Sequence, residues 1–158
     1  MVCEAKILIT YEDVADLLIQ FLDTYASKYG KPNIVHIPKA SNFWLPILER
    51  YSNPTNSDRI LLFDVIYDTG KTINEWKKKY PDADVLVLLT KKVMPGMYHI
   101  YTIPQSLHDK WFFGLGLDLF VYDGIRMMSD LPFLAYVDDI SQVKPVALVQ
   151  ASKWLMEK

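Results

Sequence analysis

The densest set of residues that could perform chemistry lies in Arg59–Trp76, whose sequence is RILLFDVIYDTGKTINEW. An apolar run containing Asp64 leads into the turn Asp68–Thr72, and a helical pattern follows. A turn with glycine between a strand and a helix points several backbone N–H groups at one place, where an anion is stabilised. The segment therefore predicts a phosphate-binding turn, to which the hydroxyls of Thr69 and Thr72 could also donate.

The turn Asp68–Thr72 also matches parts of two other motifs. Gly70-Lys71-Thr72 matches the end of a nucleoside triphosphate P-loop, but that motif needs a glycine where Val65 stands. Asp68-Thr69-Gly70 after an apolar strand also matches an aspartic protease, but those enzymes are all-β, whereas this triplet opens a helix. An ordinary strand-to-helix turn that binds nothing stays open at this point.

The elements around the turn alternate between strand and helix. A first helix follows the N-cap Thr10 and ends before Gly30. Further helices are predicted at Asn42–Tyr51, Lys71–Tyr80 and Pro145–Glu157. Strands are predicted at Lys6–Thr10, Asn33–Ile37, Ile60–Ile66, Val85–Thr90, Met97–Ile103, Lys110–Phe113 and Leu131–Val137. This alternation predicts an α/β fold with a doubly wound, mainly parallel sheet flanked by helices.

Length and composition limit the function classes. The chain has 158 residues, of which 51% are hydrophobic and 23% are charged, and no repeat or linker divides it. We therefore expect residues 1–158 to form a single domain with a packed core. The net charge of −2 argues against a nucleic-acid partner, and a single cysteine excludes an intrachain disulfide or a cysteine cluster for zinc. No apolar run spans a membrane and the start is no signal peptide, so we expect a cytoplasmic protein.

Several segments together resemble one enzyme family. An acid-bearing strand followed by DTGKT resembles the phosphoribosyl-pyrophosphate (PRPP) binding motif of type I phosphoribosyltransferases. Residues 109–118, DKWFFGLGLD, resemble the base-binding segment of hypoxanthine-guanine phosphoribosyltransferases, and residues 87–92, VLLTKK, resemble the strand and lysine before it. IPKAS at 37–41 stands where the family has its pyrophosphate loop, and KILITYEDV resembles its N-terminus. The resemblance covers nearly the whole chain.

The resemblance implies an activity. A purine phosphoribosyltransferase would transfer the phosphoribosyl group of PRPP to a 6-oxopurine, either hypoxanthine, guanine, xanthine or a modified base, and release pyrophosphate. It would use Mg²⁺ and form a homodimer. The alternative is a protein of the same fold that binds a nucleotide or regulates without turnover.

The resemblance also implies roles for the residues that bind PRPP. The ribose 5′-phosphate would be bound by Thr69, Gly70, Lys71 and Thr72. Asp64 would hydrogen-bond the ribose hydroxyls. Lys39 and Ala40 would form the pyrophosphate loop, with a cis peptide bond between them. Asp118 would face the magnesium ion, and a single carboxylate suffices because Mg²⁺ keeps several waters.

Three further residues would act on the base. Asp68 would be a general base or acid beside N7, although a helix N-cap is its alternative. Lys91 would contact the 6-oxo group, although without the resemblance a solvated lysine would be expected. Trp111 would stack on the purine, although an isolated tryptophan in an apolar strand more often belongs to the core. Asp118 closes this base-binding segment.

The sequence departs from the family in three places. Val65 stands where the family has a second acid, and only about Phe43–Arg59 separates the pyrophosphate loop from the PRPP strand. The family has a flexible hood in that stretch. The nearest arginine after GLGLD is Arg126, so its contact with pyrophosphate is an open question. Replacement cover for the site is expected from Met94–Leu107 or Leu119–Asp130, with apolar contact from Tyr98, Tyr101 and Tyr122.

Overall fold

The computed structural model describes residues 5–118, 120–122, 125–127 and 129–138. The expected C-terminal helix Pro145–Glu157 lies outside these residues. The helices are α1 (Tyr11–Tyr29), α2 (Leu45–Tyr51) and α3 (Lys71–Lys79), with short 3-10 helices at Ala40–Trp44 and Gln105–Leu107. The strands are β1 (Lys6–Thr10), β2 (Asn33–His36), β3 (Ile60–Tyr67), β4 (Asp84–Thr90), β5 (Met97–Thr102), β6 (Trp111–Phe113), β7 (Phe120–Tyr122), β8 (Ile125–Met127) and β9 (Phe133–Val137).

A four-stranded parallel sheet in the order β2-β3-β4-β5 forms the centre of the fold. Strands β3 and β4 are almost continuously apolar and buried, as expected for central parallel strands covered on both faces. One face packs against α1 and α2, through residues such as Leu18, Ile47 and Phe63. The other face packs against α3, where Ile73 meets Leu62. The predicted parallel sheet flanked by helices is confirmed.

Local signals fix the start and the end of α1. The Thr10 hydroxyl accepts a hydrogen bond from the backbone N–H of Asp13 at 3.4 Å, and Glu12 adds a second acid to the first turn. The helix ends at Gly30, whose φ of 80° favours glycine. Both boundaries were predicted because caps are encoded within a few residues.

A second, antiparallel sheet with the order β1-β9-β6 was not predicted. Lys6 pairs with Tyr136 and Trp111 pairs with Val137 across this sheet. Each strand was recognisable by itself, but its partners are far away in sequence. Nothing in a local apolar pattern says which distant strand it will pair with.

The predicted helix Asn42–Tyr51 is wrong in its start and type. The chain forms a 3-10 helix over Ala40–Trp44 and only then the α-helix α2. Pro46 lies in the first turn of α2. Backbone N–H groups in a first turn make no intrahelical hydrogen bond, so the absence of one from proline costs nothing there. The proline therefore begins the α-helix instead of kinking a longer one.

The expected cis peptide between Lys39 and Ala40 is also wrong, because the described residues contain no cis peptide bond. The backbone turns at Lys39 instead, with φ 79° and ψ −87°. Positive φ is uncommon for a residue with a side chain.

The connection between β2 and β3 leaves no room for a hood, as predicted. After α2, the turn that begins at Ser52 packs along the outer edge of β2. The Ser52 hydroxyl accepts from the Ile34 N–H at 2.9 Å, and the Asn53 N–H donates to the Pro32 carbonyl at 2.8 Å. These bonds satisfy backbone groups that an edge strand would otherwise expose.

Within the part of the chain that the structure describes, no helix has the length and apolar character needed to cross a bilayer.

Trp44 joins the segment that follows Lys39, which resembles the family's pyrophosphate loop, to the GLGLD segment. Its ring is 1% exposed, and its indole N–H donates to the Leu115 carbonyl at 2.8 Å. Nearby, a Cβ on Gly116 would lie 2.1 Å from the Ala40 carbonyl oxygen, and the φ of Gly116 is 104°. The two segments therefore approach backbone to backbone, which only glycine allows.

We predict that Trp44→Phe lowers the free energy of unfolding by about 2–4 kcal/mol, because it leaves the buried Leu115 carbonyl without its donor and opens a small void. Urea denaturation measures this. The matched control is Trp76→Phe, since Trp76 is only half-buried on α3. Equal destabilisation by both variants would contradict a special role for the Trp44 hydrogen bond.

Candidate functional site

The carboxyl ends of the four parallel strands meet at one edge of the sheet. Backbone hydrogen bonds extend the pairing beyond the strands, from Ile37 N–H to the Phe63 carbonyl at 2.8 Å and from Ile103 N–H to the Thr90 carbonyl at 2.8 Å. The Lys91 N–H likewise donates to the Tyr67 carbonyl at 3.3 Å. The segments that follow the strands are thereby held side by side, as ligand sites in open α/β sheets require.

A cavity of about 280 Å³ lies between the ends of β2 and β3. It brings together nine residues that the sequence analysis selected: Lys39, Ala40, Asp64, Asp68, Thr69, Gly70, Lys71, Thr72 and Asp118. We call it the phosphate cavity. Residues of the PRPP-like turn and of the pyrophosphate-like loop thus face the same space, although 28 positions separate Ala40 from Asp68 in the sequence.

The turn itself has the geometry of an anion site. Gly70 has φ 83° and is the N-cap of α3, and no side chain caps this helix. The Lys71 N–H donates to the Thr69 hydroxyl at 3.4 Å. The N–H groups that follow it in the first helical turn have no intrahelical acceptor, so they could donate to an anion in the cavity. A Cβ on Gly70 would come within 2.4 Å of the Tyr67 hydroxyl. Since Asp68 does not cap α3, its alternative role as an N-cap is wrong.

The structure also decides between the other interpretations of the turn. Val65 is fully buried inside β3, so no glycine-rich loop begins there and the P-loop is excluded. Asp68-Thr69-Gly70 follows a parallel strand and precedes a helix, which excludes the all-β aspartic-protease arrangement.

Asp64 is the most perturbed acid of the site. Its side chain lines the phosphate cavity, the residue is only 9% exposed, and its carboxylate accepts from the Val65 N–H at 2.8 Å. Burial raises the pKa of Asp64 to about 6, and the hydrogen bond from the Val65 N–H only partly offsets this. A strongly perturbed acid in a cleft is typical of functional sites.

A second cavity of about 370 Å³, which we call the base cavity, adjoins the first. It is lined by Asp68, Lys91, Trp111 and Asp118, all of them selected from the sequence. The Lys91 ammonium lies 3.2 Å from the Asp68 carboxylate. Trp111 is 52% exposed, so the expectation that an isolated tryptophan belongs to the core does not hold here.

Other residues of these cavities were not predicted from the sequence. Ile66 lines both of them, and His108, Phe112 and Leu117 line the base cavity. Ile66 precedes Asp68 by two positions, and this proximity to the DTGKT turn was the available signal. His108 offered no pattern, because an isolated histidine in a loop is not diagnostic.

Behind the pyrophosphate-like loop lies a hydrogen-bond chain that was also missed. Ser41 is fully buried, and its hydroxyl donates to the Ile37 carbonyl. Its oxygen lies 2.8 Å from Nδ1 of His36. Because the single hydroxyl proton is used by the carbonyl, Nδ1 must be the donor in this pair. The chain fixes the loop from its buried side.

Two residues expected to cover the site lie elsewhere. Tyr98 packs against α1, with its ring centre 5.1 Å from that of Phe21. Tyr101 packs against the core cluster that contains Leu18 and Phe63. Both belong to β5, an edge strand of the sheet, rather than to a covering loop. Tyr122 lies in β7 and Arg126 in β8. The contact of Arg126 with pyrophosphate stays a prediction.

Comparison with protein-family models and with curated proteins finds no match to this sequence. Comparison with solved structures finds the same fold. A hypoxanthine-guanine phosphoribosyltransferase from Bacillus anthracis superposes with a TM-score of 0.64 at 18% identity, covering 85% of this chain and 99% of that one. The chain has the fold of the hypoxanthine-guanine phosphoribosyltransferases. The resemblance inferred from DTGKT and GLGLD is confirmed at the level of fold.

Two further structures agree with this type I phosphoribosyltransferase fold. A variant of the Trypanosoma cruzi hypoxanthine phosphoribosyltransferase, complexed with the product IMP, gives a TM-score of 0.65 at 18% identity and covers 91% of this chain and 94% of its own. The enzyme from Staphylococcus aureus gives 0.62 at 20% identity, with coverages of 84% and 90%.

We predict that Gly70→Ala weakens the binding of a nucleoside 5′-monophosphate at least tenfold, because the methyl group displaces Tyr67 and strains the αL backbone of the turn. Isothermal titration calorimetry measures this. Gly96→Ala is the control: Gly96 also has positive φ, at 76°, but nothing lies within 4 Å of its Cβ position. Unchanged affinity in Gly70→Ala would show that the turn does not bind the phosphate.

We predict that Asp64→Asn stabilises the protein in a pH-dependent way. The folded-state pKa of about 6 lies above the ordinary pKa of an aspartate, about 3.9, so folding disfavours the ionised form. Ionised Asp64 therefore lowers the free energy of unfolding. This destabilisation is absent below pH 4, grows between pH 4 and 6, and is about 2–3 kcal/mol at pH 7.5. Chemical denaturation at pH 4 and 7.5 measures it, with the exposed Asp82→Asn as control. A stability difference that is independent of pH would contradict the buried, ionisable state of Asp64.

Proposed function

We propose that the protein is a purine phosphoribosyltransferase that transfers the phosphoribosyl group of PRPP to a 6-oxopurine and releases pyrophosphate. The observation that carries this proposal is the junction of the two cavities, which share Ile66, Asp68 and Asp118. A nucleotide with its phosphate at the turn and its base beside Trp111 would span them. The similar Trypanosoma cruzi structures, which contain the product IMP, support a purine nucleotide as ligand.

In this proposal the phosphate cavity binds PRPP. The ribose 5′-phosphate would accept hydrogen bonds from the N–H groups of Thr69–Thr72 and from the threonine hydroxyls. Asp64 would accept hydrogen bonds from the ribose hydroxyls. Lys39 and Ala40 would contact pyrophosphate. The positive φ of Lys39 turns the backbone at this point, and both residues line the cavity.

The base cavity would hold the purine between apolar and polar walls. Trp111 would stack on the ring, because an aromatic face stacks well on a purine. Lys91 would donate to the 6-oxo group. Its ion pair with Asp68 would place the carboxylate beside N7, where Asp68 serves as general acid or base.

The reaction breaks one bond and forms one. The bond from C1′ to the pyrophosphate oxygen breaks, and its electron pair leaves with pyrophosphate. The purine N9 forms the new bond to C1′, and the base loses one proton to solvent or to Asp68. Positive charge develops on the ribose in the transition state, so the protein acts mainly by placing the reactants and by stabilising charge.

The acids of the phosphate cavity fit a magnesium ion. Mg²⁺ is bound through one or two carboxylates together with substrate phosphates and water. Asp118 and Asp64 both line this cavity, and the described residues contain no cluster of three or more metal-ligating side chains. The ion would neutralise pyrophosphate as it leaves. Asp118 is the residue proposed to face it.

A second function, nucleotide binding without turnover, is favoured by two observations. Half of the Trp111 surface is exposed, and the short connection between β2 and β3 provides no hood. Water has access to such a site and would compete with the base for the ribose. A homodimer, which could supply cover, and a cytoplasmic location both stay predictions.

We predict that Asp68→Asn separates the two functions. In an enzyme it should lower single-turnover product formation about 10²–10⁴-fold, the usual contribution of a general acid or base. Nucleotide affinity should change much less, because the amide is nearly isosteric and can still accept a hydrogen bond from Lys91. Rapid quench and calorimetry on the same samples measure both quantities.

The control for this prediction is Asp109→Asn, an exposed acid that lines the base cavity and has no assigned role. It should leave turnover within about threefold of the wild type, since surface charges act weakly. Full activity of Asp68→Asn would remove Asp68 from the mechanism. Absence of turnover in the wild type, with affinity retained, would establish the binding protein instead.

A further inference from the structure

Tyr67, the last residue of β3, has its hydroxyl group beside the phosphate turn. A Cβ on Gly70 would overlap the hydroxyl oxygen of Tyr67, so this oxygen lies directly against the glycine of the turn. Tyr67 also lines the phosphate cavity. It stands between the apolar part of β3 and the DTGKT turn, so neither motif includes it.

The ring of Tyr67 is held by the core. It packs against the apolar cluster on the α3 face of the sheet, which contains Ile37, Leu62 and Ile73. Ile37 and Ile73 also line the phosphate cavity, so the cluster extends to the wall of that cavity. The Tyr67 carbonyl is fixed as well, because it accepts from the Lys91 N–H at 3.3 Å. The hydroxyl therefore lies beside the turn on a side chain that is anchored at both ends of its length.

The Tyr67 hydroxyl is not engaged inside the protein. Within the part of the chain that the structure describes, no hydrogen bond joins this hydroxyl to another residue. Tyr67 is half-buried, and a partly buried hydroxyl without a protein partner is satisfied by water or by a ligand. A phenol O–H is a donor as well as an acceptor, so the group can donate to an anion in the cavity.

The turn can use this additional donor. The Lys71 N–H already donates to the Thr69 hydroxyl at 3.4 Å, which leaves the N–H groups of Thr72 and Ile73 as the following donors in the first turn of α3. A phosphate monoester carries three strong acceptor oxygens. It therefore has capacity for a hydroxyl donor beside the backbone N–H groups.

We propose that Tyr67 is a phosphate-binding residue of this site and that its phenol O–H donates to a non-bridging oxygen of the ribose 5′-phosphate. This rests on the proposed function, because that function places the 5′-phosphate at the turn. The 5′-phosphate takes no part in the bond changes at C1′, so the hydrogen bond has the same strength in the ground state and in the transition state. Such uniform binding lowers KM and leaves kcat unchanged.

The test is Tyr67→Phe, which removes one oxygen and keeps the ring in the apolar cluster. We expect the affinity for IMP to fall about tenfold, the lower end of the range for a hydrogen bond to a charged group. The affinity for inorganic phosphate should fall by the same factor. Inosine, which lacks the phosphate, should lose less than about twofold. Isothermal titration calorimetry measures IMP and phosphate, and displacement of IMP measures inosine.

Two results would overturn the proposal. Unchanged or tighter binding of IMP and phosphate by Tyr67→Phe would show that the hydroxyl does not donate to the phosphate. Equal losses for IMP and inosine would show that it supports the shape of the site instead. The matched control is Tyr80→Phe, since Tyr80 packs against the same cluster at the other end of α3 and does not line the phosphate cavity. It should leave all three affinities within about twofold.

Steady-state kinetics with PRPP, Mg²⁺ and hypoxanthine supply a second readout. Tyr67→Phe should raise the KM for PRPP about tenfold and leave kcat within about twofold. A lower kcat with an unchanged KM would contradict a role in phosphate binding.

Failure of the proposed function gives a different result. If the wild type binds IMP but forms no product, the transfer reaction is wrong and the calorimetric comparison still decides the role of Tyr67. If the wild type binds neither IMP nor inorganic phosphate, the phosphate cavity and the role of Tyr67 are both overturned.

Discussion

The fold depends on one constraint, the parallel alignment of β2–β5 with all carboxyl ends at one edge of the sheet. This alignment places the pyrophosphate-like loop, the phosphate turn, Lys91 and the Gln105–Leu107 turn next to one another, although they come from four separate parts of the chain. The apolar interiors of β3 and β4 favour it, because strands that are buried on both faces need the helix layers that a parallel sheet carries on both sides. The polar residues of the site lie where this buried pattern stops.

The site maintains features that oppose stability. Asp64 keeps a carboxylate in a mostly buried position with one backbone hydrogen bond. Lys39 and Leu115 have positive φ without being glycine, at 79° and 54°. Such strain persists only where the surroundings determine the conformation. Here Ser41 and Trp44 supply the hydrogen bonds that hold the two segments in place.

Residues close together in sequence were predictable, and contacts across the chain were not. The DTGKT turn, the α1 caps and the buried strands follow from local chemistry, so they were predicted nearly in place. The β1-β9-β6 sheet and the 3-10 helix at Ala40–Trp44 depend on partners tens of residues apart. The cover expected from Tyr98 failed for the same reason, because that ring found its partners on α1.

We propose that a purine is joined to PRPP at the junction of the phosphate and base cavities. Its most direct test is mass spectrometry of the products after the purified protein is incubated with PRPP, Mg²⁺ and each of hypoxanthine, guanine and xanthine. For at least one base we expect a nucleoside 5′-monophosphate of the matching mass and an equal amount of pyrophosphate. PRPP that stays intact, or that is hydrolysed to ribose 5-phosphate with every base, would contradict it.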